Sequence, residues 1–294
     1  MTATRAEVLA EALPYIEEFQ GSYVVIKYGG HAMLDEEAKE WTIKDTILLR
    51  YVGMKPVVVH GGGPEISKAM EKMGKKPEFV EGLRVTDEET LEIVKMVLVG
   101  KINTDIVSRI NALGCRAAGL SGKDGRLIMA HKKAPQKIVA GGVTKKVDLG
   151  LVGEIEKINP EIIETLTSQD YIPVIAPIGL SSEGKSLNLN ADTVAGDVAA
   201  ALKAKKLIIL TDVPGVMKDL RNEKSLIREL KISQVNNLLK KGVLGGSMTP
   251  KIMACEKAIK GGVEKAHVID GRVKHAILLE LFTDEGIGTM VYGS

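Results

Sequence analysis

The feature that most constrains this chain is an alternation. Short, uninterrupted apolar runs rich in β-branched residues take turns with longer stretches of helical periodicity. Tyr23–Lys27 (YVVIK), Lys55–His60 (KPVVVH), Arg116–Leu120 (RAAGL), Asp170–Ile175 (DYIPVI), Lys206–Leu210 (KLIIL) and Ala266–Ile269 (AHVI) read as strands. A strand with no polar alternation needs cover on both faces. Helical patterns over Asp35–Val52, Glu88–Val99, Lys101–Leu113, Thr193–Lys203, Ser233–Lys240, Ile252–Lys260 and Val273–Leu281 can supply it. The expected fold class is α/β, a three-layer αβα sandwich around a mostly parallel open sheet.

Two stretches break the rhythm. Gly125–Val152 contains VTKKVDLGLVGEI, whose polar–apolar alternation predicts a hairpin excursion. Gly179–Asn190 predicts a second hairpin turning at Glu183-Gly184, and it marks a boundary between two lobes, 21–180 and 181–294. Residues 1–20 stand apart. Val8, Leu9, Ala12, Leu13, Tyr15, Ile16 and Phe19 form a helical stripe, and Pro14 should kink or break it. The stripe can pack on its own domain or meet another subunit.

Composition removes several functions. Lys plus Arg is 40 and Asp plus Glu is 38, a formal charge of +2, so no single-signed field exists to attract nucleic acid or a membrane surface. Aromatics at 3% disfavour a base-stacking platform. Uncharged stretches such as Tyr171–Leu180 fall short of the about 20 residues that a membrane span needs. The N-terminus carries Glu7, Glu11, Glu17 and Glu18 where a signal peptide needs an apolar core. Cys115 and Cys255, far apart, fit buried thiols in a reducing cytoplasm. Glycine, 31 of 294 residues, exceeds the usual ~7% and directs the search to glycine loops.

One match is false. Gly179–Ser186 fits G-x-x-x-x-G-K-[ST], but that pattern works only when a helix starts at the lysine and aims its amides at phosphate. Leu187–Asn190 alternates like a strand instead, and Pro173 and Pro177 precede the segment. Lys185 is therefore expected on an exposed hairpin turn.

Three other glycine clusters lie where strands end: Gly29-Gly30 after the first, Gly61-Gly62-Gly63 after the second, and Gly245-Gly246 before Thr249-Pro250-Lys251. Ligands of open α/β sheets bind beyond the carboxyl ends of strands, and glycine lets backbone amides approach an anion. No G-x-G-x-x-G opens a helix after the first strand, which removes a dinucleotide reader. Phosphoryl transfer fits better, because it needs cations and positioning more than covalent help. Lys27 and Lys251 are the candidate cations; either could instead be a solvated surface residue.

These residues resemble the amino acid kinase family over nearly the whole chain. The resemblance is carried by KYGGHAM at 27–33, VVVHGGGPEI at 57–66, GLRVTD at 82–87, GLSGKDG at 119–125, LNLNADTVAG at 187–196, LTDVPGV at 210–216 and GGSMTPK at 245–251. It implies transfer of the γ-phosphoryl of ATP to the side-chain carboxylate of N-acetyl-L-glutamate, with Mg²⁺ carried by the ATP phosphates and no dedicated metal site. Sister activities on carbamate, aspartate or nucleoside monophosphates, and a non-catalytic arginine-sensing module, are the alternatives. By the resemblance Lys27 and Lys251 neutralise the moving phosphoryl and Asp192 holds both. Asp192 could also cap the helix that follows it. Gly62, Gly63, Arg84 and Asn188 would bind the acyl amino acid; Arg84 could instead pair at the surface with Asp87 or Glu88. Gly29, Gly30, Asn190, Thr211, Asp212, Gly215, Gly245, Gly246 and Met248 would shape the nucleotide site. The first lobe would then hold the acceptor and the second the nucleotide and an effector segment. Ser247, where the family commonly has glycine, and His31 after the paired glycines are departures.

EALPYI at 11–16 and the segment at 266–291 resemble the arginine-inhibited, hexameric members of the family. By position, Tyr15, Lys206, His267, Glu280 and Gly286 would surround arginine, although Glu280 could equally be a solvated helix terminus. The implied assembly is a trimer of dimers whose N-terminal helices interlace.

Overall fold

A computed structural model of the chain describes residues 10–80, 82–140, 143–219 and 221–293. Val8 and Leu9 of the expected N-terminal stripe lie outside them, as does the side chain of His31. The strands are β1 (Tyr23–Tyr28), β2 (Lys55–His60), β3 (Phe79–Val80), β4 (Leu83–Arg84), β5 (Ala117–Ser121), β6 (Ile128–Lys132), β7 (Gln136–Ala140), β8 (Val143–Val147), β9 (Gly153–Ile158), β10 (Ile172–Ala176), β11 (Ile178–Leu180), β12 (Ser186–Asn188), β13 (Lys206–Thr211), β14 (Glu229–Lys231), β15 (Lys265–Asp270) and β16 (Thr289–Tyr292). The helices are α1 (Leu13–Phe19), α2 (Glu36–Tyr51), α3 (Gly63–Lys72), α4 (Glu88–Lys95), α5 (Thr104–Ala112), α6 (Glu161–Ser168), α7 (Ala191–Ala201), α8 (Ile232–Lys240), α9 (Met248–Lys260) and α10 (Ala276–Leu281). No helix among the described residues is long and apolar enough to cross a membrane.

Eight strands form one sheet in the order β14-β16-β15-β13-β1-β2-β10-β5. All six expected strands lie in it and run parallel. Alternate residues of β1 explain the sandwich. Val24, Ile26 and Tyr28 join one core with α2 and α5, while Val25 joins a second core with α7 and α9. The chain fills β2, β10 and β5 on one side of β1 before crossing to β13 on the other. That reversal opens a crevice at the carboxyl ends of β1, β2 and β13, where such sheets bind ligands.

Several expectations change. Glu88–Val99 and Lys101–Leu113 are not two helices. A π-helical segment over Met96–Asn103 joins α4 to α5 without a break at Gly100. The excursion after Gly125 is larger than one hairpin: β7 and β8 pair with each other, while β6 and β9 join β11 and β12 in a second sheet. Helix α3 starts at the glycine run with Pro64 in its first turn, as that proline suggests, whereas α6 and the short strands β14 and β16 were not expected, and β16 runs antiparallel to β15. Pro14 does interrupt the N-terminal helix, since α1 begins at Leu13 with the proline in its first turn. The hairpin at Gly179–Asn190 forms, with Ser181 N donating to Lys185 O and Gly184 at φ 80°. Lys185 sits exposed on that turn beside Glu183, so the phosphate-loop pattern has no helix to work with.

Candidate active site

Two helix starts bring three charges together behind β1. Asn190 caps α7 by accepting from Thr193 N at 3.0 Å, which places Asp192 in the first turn and gives the cap to Asn190 rather than Asp192. Lys251 lies in the first turn of α9, and its Nζ donates to Ser247 O at 3.0 Å. The two helices can approach because residue 196 is glycine; a Cβ there would lie 2.7 Å from Ala254 O. As a result Lys27 Nζ stands 3.0 Å from Asp192 Oδ1 and Lys251 Nζ 3.5 Å from Asp192 Oδ2. All three side chains are nearly buried. Burial pushes the Asp192 carboxyl up, but the two ammonium groups outweigh it and hold it below its ordinary value. One carboxylate therefore fixes two cations.

The glycine loops close over this unit. Gly61 N donates to Tyr28 O at 2.7 Å, tying the loop after β2 to the end of β1. A Cβ at Gly29 would meet Lys27 Nζ at 2.6 Å, and one at Gly62 would meet Ile102 at 2.4 Å and Leu98 at 2.7 Å. Gly62 and Gly63 open α3, and Gly30, with φ 70°, rims the same space. They border a cavity of about 220 Å³ that also meets Arg84, Asn188, Asn190 and Asp192. That is below the ~300–1,000 Å³ typical of drug-sized ligands, so the cavity suits one small molecule.

Arg84 is the second unusual cation. It is 6% exposed. Its Nη2 donates to Gly63 O (2.9 Å) and Ser67 Oγ (2.8 Å), its Nη1 lies 3.0 Å from Met70 Sδ, and Phe79 stacks 4.6 Å from it. No carboxylate among the described residues pairs with it. Asp87, the expected surface partner, instead caps α4 and binds Lys75 at 2.8 Å. Burial lowers the guanidinium's proton affinity, a cost that an anionic ligand would offset. Asn188 Nδ2 reaches Thr86 Oγ1 at 3.2 Å on the far wall.

The remaining expected residues lie on the β13 side. Thr211 ends β13, buried, with its hydroxyl 3.3 Å from Asp212 Oδ1. Gly215 packs under Thr289, where a Cβ would meet Oγ1 at 2.6 Å. Gly245 and Gly246 form the turn before Met248, the first residue of α9. Among the described residues no group of three or more His, Cys, Asp or Glu side chains could hold a metal ion.

The proposed effector residues gather at the opposite end of the strands. Lys206 opens β13 and Thr211 closes it, about 17 Å apart at strand rise. Lys206 Nζ lies 3.5 Å from His267 Nε2, and His267 Nδ1 donates to Glu280 Oε1 at 2.5 Å. Glu280 Oε2 accepts from Ile287 N (2.7 Å) and Gly288 N (3.1 Å), and Gly286 turns beside it at φ 57°. Glu280 is thus buried, not a solvated terminus. Burial pushes the Lys206 ammonium down to about 8 and the His267 ring below its ordinary value. Tyr15 is one step removed and donates to Asp284.

Two residues escaped the sequence reading. His60, wholly buried, ends β2 beneath the glycine loop, and Asn103, a lone amide in the apolar segment MVLVGKIN, bonds to it. Their signal was a polar residue where the core should be apolar.

Two lysines sharing one buried carboxylate, beside glycine loops and an arginine with no carboxylate partner among the described residues, form a site suited to anions. The chain belongs to the amino acid kinase family, which it matches over residues 22–270. It is 58% identical over 289 residues to the acetylglutamate kinase of Methanococcus aeolicus, covering 98% of both chains. Its fold is similar to that of N-acetylglutamate synthase from Neisseria gonorrhoeae complexed with coenzyme A and N-acetyl-glutamate (TM-score 0.83, 24% identity, 99% of this chain and 64% of that one). The same synthase complexed with coenzyme A and L-arginine aligns with TM-score 0.78 and 25% identity, covering 99% of this chain and 66% of that one.

Proposed function

We propose that this chain transfers the γ-phosphoryl group of ATP to the side-chain carboxylate of N-acetyl-L-glutamate, a step of arginine biosynthesis. The observation that carries this is the Lys27–Asp192–Lys251 unit facing a small cavity walled by Arg84, which has no carboxylate partner among the described residues. The acceptor carboxylate is ionised at neutral pH, with an ordinary pKa near ~4, so no general base is required. The obstacle is repulsion between a carboxylate and a polyanionic phosphoryl group. Lys27 and Lys251 lower it as the new P–O bond forms and the bond to the ADP oxygen breaks. Arg84 would take the α-carboxylate by its planar fork, with the amides of Gly62 and Gly63 and the side chain of Asn188 orienting the rest. Amides of Gly29 and Gly30 would meet the phosphates. Asn190, Thr211, Asp212, Gly215 and the Gly245–Met248 loop would form the nucleotide side. Mg²⁺ on the ATP phosphates adds charge neutralisation. In this reading residues 21–180 hold the acceptor and 181–294 the nucleotide.

ADP release with N-acetylglutamate as acceptor tests the reading. Lys27→Ala should abolish it and Lys185→Ala should leave it intact; loss only in the Lys185 variant would overturn the assignment.

Inhibition by arginine is the second part of the proposal. What favours it is the Lys206–His267–Glu280 cluster, where a buried carboxylate stands against a turn at Gly286, and Tyr15 bonds to Asp284 two positions before that turn. We place the N-terminal segment, residues 1–20, at a contact between dimers of a hexamer.

A further inference from the structure

The run Gly61-Gly62-Gly63 carries the amides on which acceptor binding depends, yet glycines are the residues least able to hold a peptide in one orientation. Something outside the loop must hold it. Asn103, 4% exposed, closes the π-helical segment. One hydrogen of its amide nitrogen goes to Val174 O on β10 at 2.8 Å, and the other goes to His60 Nε2 at 3.1 Å. The opposite assignment of the amide would set its oxygen against the Val174 carbonyl, so the donor orientation is the stable one. His60 in turn donates from Nδ1 to Gly61 O at 2.9 Å. A neutral imidazole has one N–H, and an Asn103 donor at Nε2 forces it to Nδ1. Burial, which pushes the His60 ring down to about 4, keeps it neutral.

The geometry of the peptide completes the chain of contacts. The Gly61 carbonyl and the Gly62 N–H belong to one planar trans peptide and point in opposite directions. Pulling the carbonyl toward His60 therefore turns the N–H away from the core, toward the cavity. The π-helical segment makes this possible. Its i→i+5 bonding brings Leu98, Ile102 and Asn103 to one side, so two apolar residues lie under Gly62 while the amide reaches His60.

We propose that Asn103 is a positioning residue of the acceptor site: through the neutral ring of His60 it sets the plane of the Gly61–Gly62 peptide and so aims the Gly62 amide at the acyl amino acid. The inference rests on the kinase reading above. A second position tests it independently. A Cβ at Gly119 would stand 2.0 Å from Asn103 Oδ1, so Gly119→Ala displaces the amide while keeping His60 and Asn103.

The experiment is steady-state kinetics of the full chain with both substrates varied, for wild type, Asn103→Leu, Gly119→Ala and Asn103→Asp. For the first two variants the KM for N-acetylglutamate should rise roughly ten- to a hundredfold while the KM for ATP stays within about twofold. Asn103→Asp gives a sharper readout. Its carboxylate would hold a proton on Nε2, so the Nδ1 donor survives only while the ring is an imidazolium. Its acceptor KM should therefore be near normal at low pH and rise as pH rises, against a flat wild-type profile. ¹⁵N shifts of His60 should report the Nδ1–H tautomer in wild type. An unchanged acceptor KM in Asn103→Leu, an equal rise in both KM values, or a flat Asn103→Asp profile would overturn the proposal. If Asn103→Leu fails to fold, the other two variants decide. Wild type that does not turn over N-acetylglutamate would instead refute the kinase reading, while the tautomer would still report the relay.

Discussion

Replacing Asp192 with asparagine keeps the shape of the side chain and removes its charge. At an effective dielectric constant of about 20, contacts of 3.0 and 3.5 Å each represent about 5 kcal/mol of gross attraction. Desolvation of the carboxylate offsets much of this, and removing one partner of a buried ion pair costs about 3–5 kcal/mol net. For a chain of this size that lowers the melting midpoint by on the order of 10 °C. The catalytic loss should be larger than the binding loss. The lysines would repel each other and leave the phosphoryl path, so kcat should fall by about 10²–10³ with the acceptor KM little changed. The wild-type advantage also has a pH signature. The Asp192 carboxyl is held below its ordinary value, so its stabilisation is complete above the unfolded value near ~3.9 and lost only as pH falls through the lower folded value. Thermal melts of wild type and Asp192→Asn across pH, paired with ADP-release kinetics, check both parts. A variant that melts within about 2 °C of wild type and keeps kcat within about threefold would show that the carboxylate does not organise the lysines.

Arg84→Met should raise the acceptor KM by about ten- to a hundredfold, the worth of a charged hydrogen-bond pair, while leaving folding stability equal or higher, because the buried guanidinium has no carboxylate partner among the described residues; a clear loss of stability measured by denaturant titration would refute this. His60 should make folding weaker in acid: its folded pKa of about 4 lies below the unfolded ~6.5, so the unfolded chain binds the proton first and up to about 3 kcal/mol is lost as pH falls from 6.5 to 4. His60→Gln should flatten that slope in pH-dependent melts. Deleting residues 1–20 should leave dimers that arginine barely inhibits, and sedimentation showing a sensitive hexamer would sink the effector proposal.

The strands were readable because each is apolar on both faces, a pattern that a two-sided sheet imposes locally. The short strands β14 and β16, three and four residues long, carry too little pattern to stand out. The rod from Glu88 to Ala112 was misread for a definite reason. Its buried residues pair as Val97 and Leu98, then Ile102 and Asn103, a spacing of five that belongs to π-helix and slips the ordinary helical phase at Gly100. The glycines and Lys27 were visible because a strand end marks them. That Arg84 has no carboxylate partner among the described residues was not, since Asp87, three positions on, is claimed by Lys75 from twelve positions away. Asp192 was ambiguous because two neighbouring residues could cap the same helix: the bond from Thr193 N to Asn190 gives the cap to Asn190 and leaves Asp192 for two lysines.

Charge arithmetic at the crevice joins these observations. Among the described residues, Lys27 and Arg84 line the cavity, Lys251 stands behind it, and Asp192 is the one carboxylate beside them, so three cations face one anion, an excess of +2. Such an excess is unfavourable for the empty protein and favourable once two anions enter. The support beneath the glycine loop adds no charge of its own, because His60 is kept neutral by burial and Asn103 cannot ionise. A charged residue in either place would alter the field on the reacting groups or draw in water. Neutral anchors under the amides and fixed cations around the ligands are the division of labour that phosphoryl transfer between two negative reactants requires.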